Sequence, residues 1–214
     1  IADLKKMVAS GIKNITLLGQ NVNSYDGGIS FAELLRRCNA VEGEFILRFM
    51  TSHPKDCTEE LLIAMSECEK VEKHLHLPVQ CGSDRVLKAM NRKYTREKYL
   101  SLIKRAKELM PEIMLTSDII VGFPGESDAD FDDTMKIAQQ IKYINSYSFK
   151  YSPRPHTAAA LMPDQIPENI KAERLARLDT YLNEVQREFN ISCIDKTMEC
   201  LLEGPDKTGK HLIY

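Results

Sequence analysis

The chain has 214 residues, 43% hydrophobic and 28% charged, with 29 basic against 31 acidic side chains. No apolar run reaches the roughly 18–20 residues needed to span a bilayer, which excludes a membrane protein and leaves one large domain or a domain and a half. A formal charge of -2 argues against a generally basic nucleic-acid binder but leaves room for a local basic patch.

In chain order, Ile1–Ser10 reads as helix and Ile15–Gly19 (ITLLG) as a β-strand that empties into Gly19-Gln20-Asn21. A helix over Phe31–Cys38 leads to a strand over Phe45–Thr51, which ends in Thr51-Ser52-His53-Pro54. A helix over Thr58–Cys68 is followed by a strand over His74–Val79, then by Gln80-Cys81-Gly82-Ser83. Helices over Arg85–Met90 and Thr95–Met110 come next, the second limited by Pro111. The strand Leu115–Val121 opens into Gly122-Phe123-Pro124-Gly125-Glu126, and a helix covers Asp128–Lys142. The last of these strands, Ser146–Tyr151, runs into Ser152-Pro153-Arg154-Pro155. Thr58 and Ser127 mark N-cap neighbourhoods.

Alternating strands and helices imply βα units with parallel strands and right-handed crossovers. A doubly wound sheet and a (β/α) barrel both satisfy that pattern. In either, ligands sit at the carboxyl ends of the strands, where this chain places its unusual polar runs. A complete eight-stranded barrel takes about 250 residues, so a partial barrel fits better.

Beyond Tyr151, four prolines punctuate a loop, and a helix from Pro167 to about Phe189 carries Ile170, Leu175, Leu178, Leu182, Val185 and Phe189 at core-packing spacing. Thr197–Glu203 reads as a strand entering a turn at Gly204-Pro205, and His211–Tyr214 is again strand-like. Ile1 is not an initiator methionine and the end falls inside a strand-like run, so the chain is expected to be a piece of a longer protein.

Several residues carry chemistry. Gly82 lets a backbone approach a ligand and Gln80 offers both donor and acceptor, although Ser83 or Asp84 equally serve as a helix cap. Asp118 stands among Ile119, Ile120 and Val121, where a carboxylate needs a partner that a ribose diol would supply. Gly122-Phe123-Pro124-Gly125 gives a tight turn and an apolar surface suited to a purine, or a purely structural turn; its spacing is not that of a nicotinamide fold. Residues 85–107 hold nine basic side chains and one acid, with Tyr94 and Tyr99 interleaved, which reads as a phosphate-binding stretch or a solvated helix face. His53 is either an acid/base or substrate contact or a hydrogen-bonded loop residue. His74 and His76 share a strand face, but no third metal ligand accompanies them.

The cysteines are Cys38, Cys57, Cys68, Cys81, Cys193 and Cys200, none spaced as a thiolate pincer, so they read as free buried thiols in a reducing cytoplasm.

The runs LLGQNVNSY (Leu17–Tyr25), RFMTSHP (Arg48–Pro54), HLPVQCGSDRVLKAMNRKYT (His76–Thr95), TSDIIVGFPGE (Thr116–Glu126) and FKYSPRPHTAA (Phe149–Ala159) resemble the radical S-adenosylmethionine methylthiotransferases. The match runs in order along nearly the whole chain. GQNVNSY resembles the bacterial tRNA branch, which puts a methylthio group on C2 of N6-dimethylallyladenosine beside the anticodon.

That resemblance implies an α/β fold, a partial (β/α)6 TIM-like radical SAM barrel lacking its first strand, followed by the start of a C-terminal TRAM β-barrel. Residues 1–190 would be barrel strands two to six, and residues 191–214 a linker and truncated TRAM domain. The family's CxxxCxxC, which holds the reactive 4Fe-4S cluster, lies on the missing first strand. The implied cofactors are S-adenosylmethionine and two 4Fe-4S clusters in the full-length enzyme, with none expected in this fragment and no metal bound by it. Implied partners are the tRNA anticodon stem-loop and an electron donor such as flavodoxin or ferredoxin, with no membrane and a monomeric state.

By the same resemblance, Gln80 touches the ribose of S-adenosylmethionine, Arg92 pairs with its methionine carboxylate and Asp118 binds the ribose hydroxyls. Gly122 and Phe123 lie where adenine packs, Gln20 and Asn21 lie near the methionine amine, and Ser52 and His53 contact cofactor or adenosine. Lys93, Arg96 and Arg154 join His53 as expected substrate contacts. Cys81 departs from the serine common among relatives. The implied chemistry is cleavage of S-adenosylmethionine to a radical that abstracts hydrogen from C2 of the adenine, then sulfur insertion and methylation. Three alternatives remain: a sister branch acting on threonylcarbamoyladenosine or a ribosomal protein, a cluster-free (β/α) lyase or isomerase needing a strand-end lysine such as Lys150, and a plain RNA-binding module.

Overall fold

The computed structural model describes residues 1–50, 52–198, 200–202, 204–205, 207–208 and 212–213. Helix α1 (Ala2–Ala9) precedes strand β1 (Asn14–Leu17), helix α2 (Phe31–Asn39) and strand β2 (Ile46–Phe49). Helix α3 (Glu59–Glu67) and strand β3 (His74–His76) follow, then helices α4 (Asp84–Ala89) and α5 (Arg96–Leu109). Strand β4 (Met114–Val121), helix α6 (Asp128–Ile141), strand β5 (Asn145–Lys150) and helix α7 (Glu168–Ser192) complete the series, with a short pair β6 (Gly204–Pro205) and β7 (Leu212–Ile213) beyond.

All pairings among β1 to β5 are parallel: β1 with β2, and β3 with β4 and β5. A bridge between Leu47 and Val71 joins the two groups, with Leu47 N donating to Lys70 O (2.7 Å) and Glu72 N to Leu47 O (3.0 Å). The strands therefore lie side by side in chain order with no reversal. That order lacks the switch a doubly wound sheet needs and is the order of strands in a barrel.

Each βα unit is started by a local signal. Ser30, Thr58, Ser83, Thr95 and Ser127 cap α2 to α6 by accepting a backbone N–H two or three residues into the helix, and Ser127 forms a full capping box with Asp130. Along β4, Leu115, Ser117, Ile119 and Val121 are buried, whereas Met114, Thr116, Asp118 and Ile120 are half-buried on the other face. The buried face packs with Leu47, Leu62, Leu77, Leu87 and Ile137 beneath the helices. Helix α7 buries Leu178, Leu182 and Val185, as its stripe predicts.

Five expected elements are adjusted. The strand expected over His74–Val79 stops at His76, because Pro78 has no N–H and the Ser117 hydroxyl takes the Val79 N–H (2.9 Å). Ile15–Gly19 and Phe45–Thr51 shorten to the four-residue ladder in which Asn14 to Leu17 face Ile46 to Phe49; Thr51 lies outside the described residues. Gly204-Pro205 is strand rather than turn, paired antiparallel with Leu212–Ile213. Of the strand expected over Thr197–Glu203, Glu199 and Glu203 lie outside the described residues. The others carry no strand, with Met198 and Leu202 exposed. In the run His211–Tyr214, His211 and Tyr214 are likewise outside.

Candidate active site

Residues after β3 and α4, on β4 itself, and on and after β5 meet around a cavity of about 580 Å³. Its wall includes Gln80, Arg92, Asp118, Ile120, Phe149 and Arg154, drawn from four separate segments. A carboxylate, a guanidinium and an amide thus converge on apolar surface from Ile120 and Phe149.

Gln80 leaves the β3 segment at φ 64°, in the left-handed region that an ordinary side chain occupies only at a cost. Its backbone is pinned on both sides: Gln80 N donates to Asp118 O (2.9 Å) and Ile120 N donates to Gln80 O (2.8 Å). The turn brings Gln80 into the same cavity as Asp118. Gly82 follows with no room for a side chain, since a Cβ there would sit 2.3 Å from Asp133 O. That close approach is to α6, so Gly82 serves packing rather than a ligand.

Asp118 has about a third of its side chain exposed, with Oδ2 3.6 Å from His76 Nε2. His53 is held by its surroundings. Its Nδ1 accepts the Lys55 backbone N–H (3.1 Å), which puts the proton of the neutral ring on Nε2. Burial lowers its pKa, and the neighbouring Arg92 lowers it further. Arg92 Nη1 comes within 3.5 Å of that protonated Nε2, so the ring does not accept from it. Among the described residues Arg92 has no carboxylate partner, which leaves its charge facing the cavity.

Other expected contacts lie elsewhere. Gln20 and Asn21 are exposed on the loop after β1, and Ser52 is buried, its hydroxyl unpartnered among the described residues. None of the three lines the cavity with Asp118. Phe123 is turned inward, edge-on to Tyr151 (5.2 Å between centroids), and the Lys171 side chain packs over Gly122. Ile120 and Phe149 therefore provide the apolar wall expected from Gly122 and Phe123. Arg154 lines the cavity and Lys93 is exposed, but Arg96 is engaged by Asp133 (3.3 Å).

The basic stretch is compensated in part. Arg85 is bound by Asp130, Arg105 by Glu59 (2.6 Å) and Glu108, and Lys107 donates to the last carbonyl of α6, Ile141 O. Lys150, the strand-end lysine on which a cluster-free lyase would depend, is paired with Glu168. The lyase reading thus loses the lysine that motivated it, whereas Lys88, Lys93 and Lys98 of the basic stretch stay exposed.

Two residues have positioning roles that the sequence reading does not assign. Asn23, buried inside GQNVNSY, clamps the next loop by donating to His53 O (2.9 Å) and accepting from His53 N (2.8 Å). Tyr94 donates to Val79 O (3.0 Å) and stands edge-on to His53 (5.7 Å). The sequence signal was present in both cases, as a second Asn and as a Tyr beside the arginine.

The donor set fits S-adenosylmethionine: a carboxylate for a diol, a free guanidinium for a carboxylate, and an apolar wall for a base. It does not fit an iron–sulfur cluster. No group of three or more His, Cys, Asp or Glu residues among the described ones is placed to hold a metal. Cys38, Cys57, Cys68 and Cys81 are buried, while Cys193 is half-buried and Cys200 exposed, contrary to a uniformly buried set. No helix among the described residues is long and apolar enough to cross a membrane.

Comparison with known proteins agrees with this geometry. The chain is 52% identical over 215 aligned residues to the tRNA-2-methylthio-N(6)-dimethylallyladenosine synthase of Alkaliphilus oremlandii, covering 99% of this chain and 46% of that protein. It is 50% identical to the enzyme of the same name from Acetivibrio thermocellus, covering 98% of this chain and 44% of that one. The chain thus spans about half the length of these curated relatives. Among solved structures, Escherichia coli coproporphyrinogen III oxidase, a radical SAM enzyme, superposes with a TM-score of 0.66 at 16% identity, over 86% of this chain and 45% of that one. Methylornithine synthase does so with a TM-score of 0.56 at 12% identity, over 85% and 53%. The sequence model of the radical SAM superfamily matches residues 1–138, and with the sequential parallel strands around a strand-end cavity, this chain belongs to that superfamily.

Proposed function

We propose that the chain is the catalytic core of a tRNA methylthiotransferase that modifies C2 of an N6-modified adenosine beside the anticodon. The observation that carries this reading is the convergence of Gln80, Arg92 and Asp118 on one cavity. Asp118 and Gln80 would hold the ribose of S-adenosylmethionine and Arg92 its methionine carboxylate, with Ile120 and Phe149 against the adenine. Arg154 and the exposed Lys93 would meet the tRNA backbone. The identity to the named synthases supports the tRNA branch.

When bound, S-adenosylmethionine and an iron–sulfur cluster would supply the radical chemistry, the cluster being held by residues outside this chain. The protein's own part is positioning and the exclusion of water. Asn23 and Tyr94 fix the His53 loop, and the strained turn at Gln80 keeps its side chain at the strand ends. The reading places the barrel's first strand and both clusters before Ile1, and the start of the RNA-binding domain at residues 191–214, where β6 and β7 pair. It also takes the enzyme to be a cytoplasmic monomer reduced by a flavodoxin or ferredoxin.

The test is nucleoside mass spectrometry of tRNA carrying N6-dimethylallyladenosine, incubated anaerobically with the full-length protein, S-adenosylmethionine and a reductant. A methylthio gain on that adenosine is expected. Cleavage of S-adenosylmethionine without a modified nucleoside would overturn the tRNA assignment.

A further inference from the structure

A line of polar side chains crosses the inner face of the sheet. Arg48 on β2 pairs with Glu72 (3.0 Å), and His74 Nδ1 lies 3.8 Å from the same carboxylate. His74 Nε2 is 2.8 Å from Thr116 Oγ1, which in turn lies 3.0 Å from His76 Nδ1. His76 Nε2 then faces Asp118 Oδ2 at 3.6 Å. On the other side of Asp118, β5 presents Tyr147 in register.

One hydroxyl proton couples the two rings. An ionised Asp118 favours a proton on His76 Nε2, so in the neutral ring Nδ1 carries the lone pair. Thr116 must then donate to His76 Nδ1, and its oxygen accepts the N–H at His74 Nε2. This arrangement leaves the His74 Nδ1 lone pair toward Glu72, whose carboxylate is already engaged by Arg48. Burial lowers the His74 pKa, in keeping with a neutral ring. The opposite arrangement would set a lone pair on His76 Nε2 against the Asp118 carboxylate at 3.6 Å, closer than the 3.8 Å at Glu72, whose charge Arg48 already offsets.

We infer that His76, oriented by Thr116 and His74, is a positioning residue that aims the Asp118 carboxylate at the ribose hydroxyls of the bound nucleoside. The inference rests on the reading that Asp118 holds that ribose. His76 Nε2, at 3.6 Å, is the ring nitrogen placed against Asp118 Oδ2. Oδ1 is left to accept from the ligand. His76 is 6% exposed and lies outside the cavity wall, so it acts through Asp118 rather than by contact.

The test is calorimetry on the full-length protein with S-adenosylmethionine, using adenosine and 2′,3′-dideoxyadenosine as competitors. Wild type should prefer adenosine by about tenfold, the scale of a hydrogen bond to a charged group. His76→Leu should abolish most of that preference, and Thr116→Val, which keeps the side-chain shape, should reduce it. His76→Gln, which retains an N–H donor, should restore it. Thr116→Val gives the answer if His76→Leu does not fold. Full preference retained in His76→Leu and Thr116→Val overturns the positioning role while leaving Asp118 as the ribose ligand. A wild type without any preference overturns the ribose assignment, and the positioning role with it.

Discussion

Gln80 combines strain and function at one residue. Its φ of 64° is one that glycine adopts freely and glutamine does not. Replacing it with glycine should raise stability by about 1 kcal/mol, read by urea denaturation, while weakening S-adenosylmethionine binding. A glycine variant that binds as tightly as wild type would mean that the glutamine side chain does not touch the ligand. The thiols divide by environment. Burial pushes the Cys57 pKa to about 12 and the Cys81 pKa to about 11, whereas Cys200 is exposed. Iodoacetamide at pH 8, followed by peptide mass spectrometry, should label Cys200 at once and leave Cys57 and Cys81 unlabelled until the protein unfolds. Early labelling of Cys81 would contradict its packing beside Thr134 (3.4 Å).

Among elements, the junction of α6, α7 and the loop after β4 is the most highly charged part of the interior. Glu126 has a fully buried side chain, accepts the Gly122 N–H (2.6 Å) and pairs with Arg174 of α7 (2.7 Å). Burial raises its pKa despite these contacts. Arg174→Met should destabilise the fold by about 3–5 kcal/mol, because it strands a buried carboxylate. With the folded pKa raised, that variant should be most stable at low pH and weaken as pH climbs through the Glu126 pKa. A melting temperature independent of pH would argue against the pair. Asp130 shows the opposite sign. Burial pushes its pKa up, but hydrogen bonds from Arg85, Ser127 and Ser83 outweigh that and hold it well below the carboxylate range. Its contribution is present above the unfolded value near about 4 and is lost as pH falls through the folded pKa. Wild type should therefore lose stability below about pH 4 more steeply than Asp130→Asn; identical acid-unfolding slopes would discount the network.

At this level the sequence was legible where signals are local and obscure where they are not. The Thr58 and Ser127 caps and the α7 stripe depend on neighbours a few residues apart. Arg174, in contrast, interrupts that stripe and is buried only because a glutamate 48 residues away meets it. The strand expected to reach Val79 ends at His76 because Pro78 has no N–H and the Ser117 hydroxyl, on another strand, takes the Val79 N–H.

For the whole molecule, the order of parallel strands and the placement of polar runs at their carboxyl ends follow from the alternation of the sequence. Which residues share a cavity does not. Gln80 and Asp118 meet through a bridge between Gln80 and Ile119, and Phe149 joins them only through the register of β4 with β5. Spacing along the chain gave no sign that Phe123 would turn inward and Phe149 would face the cavity. The sheet itself is open among the described residues, with β1 and β5 each paired on one side only. The proposed function requires that strand-end cavity to hold S-adenosylmethionine. Calorimetric titration of S-adenosylmethionine into the full-length protein and its Asp118→Ala and Arg92→Ala variants tests it most directly. One-to-one binding that weakens by at least about tenfold in each variant is expected; unchanged affinity in both would contradict the proposed function.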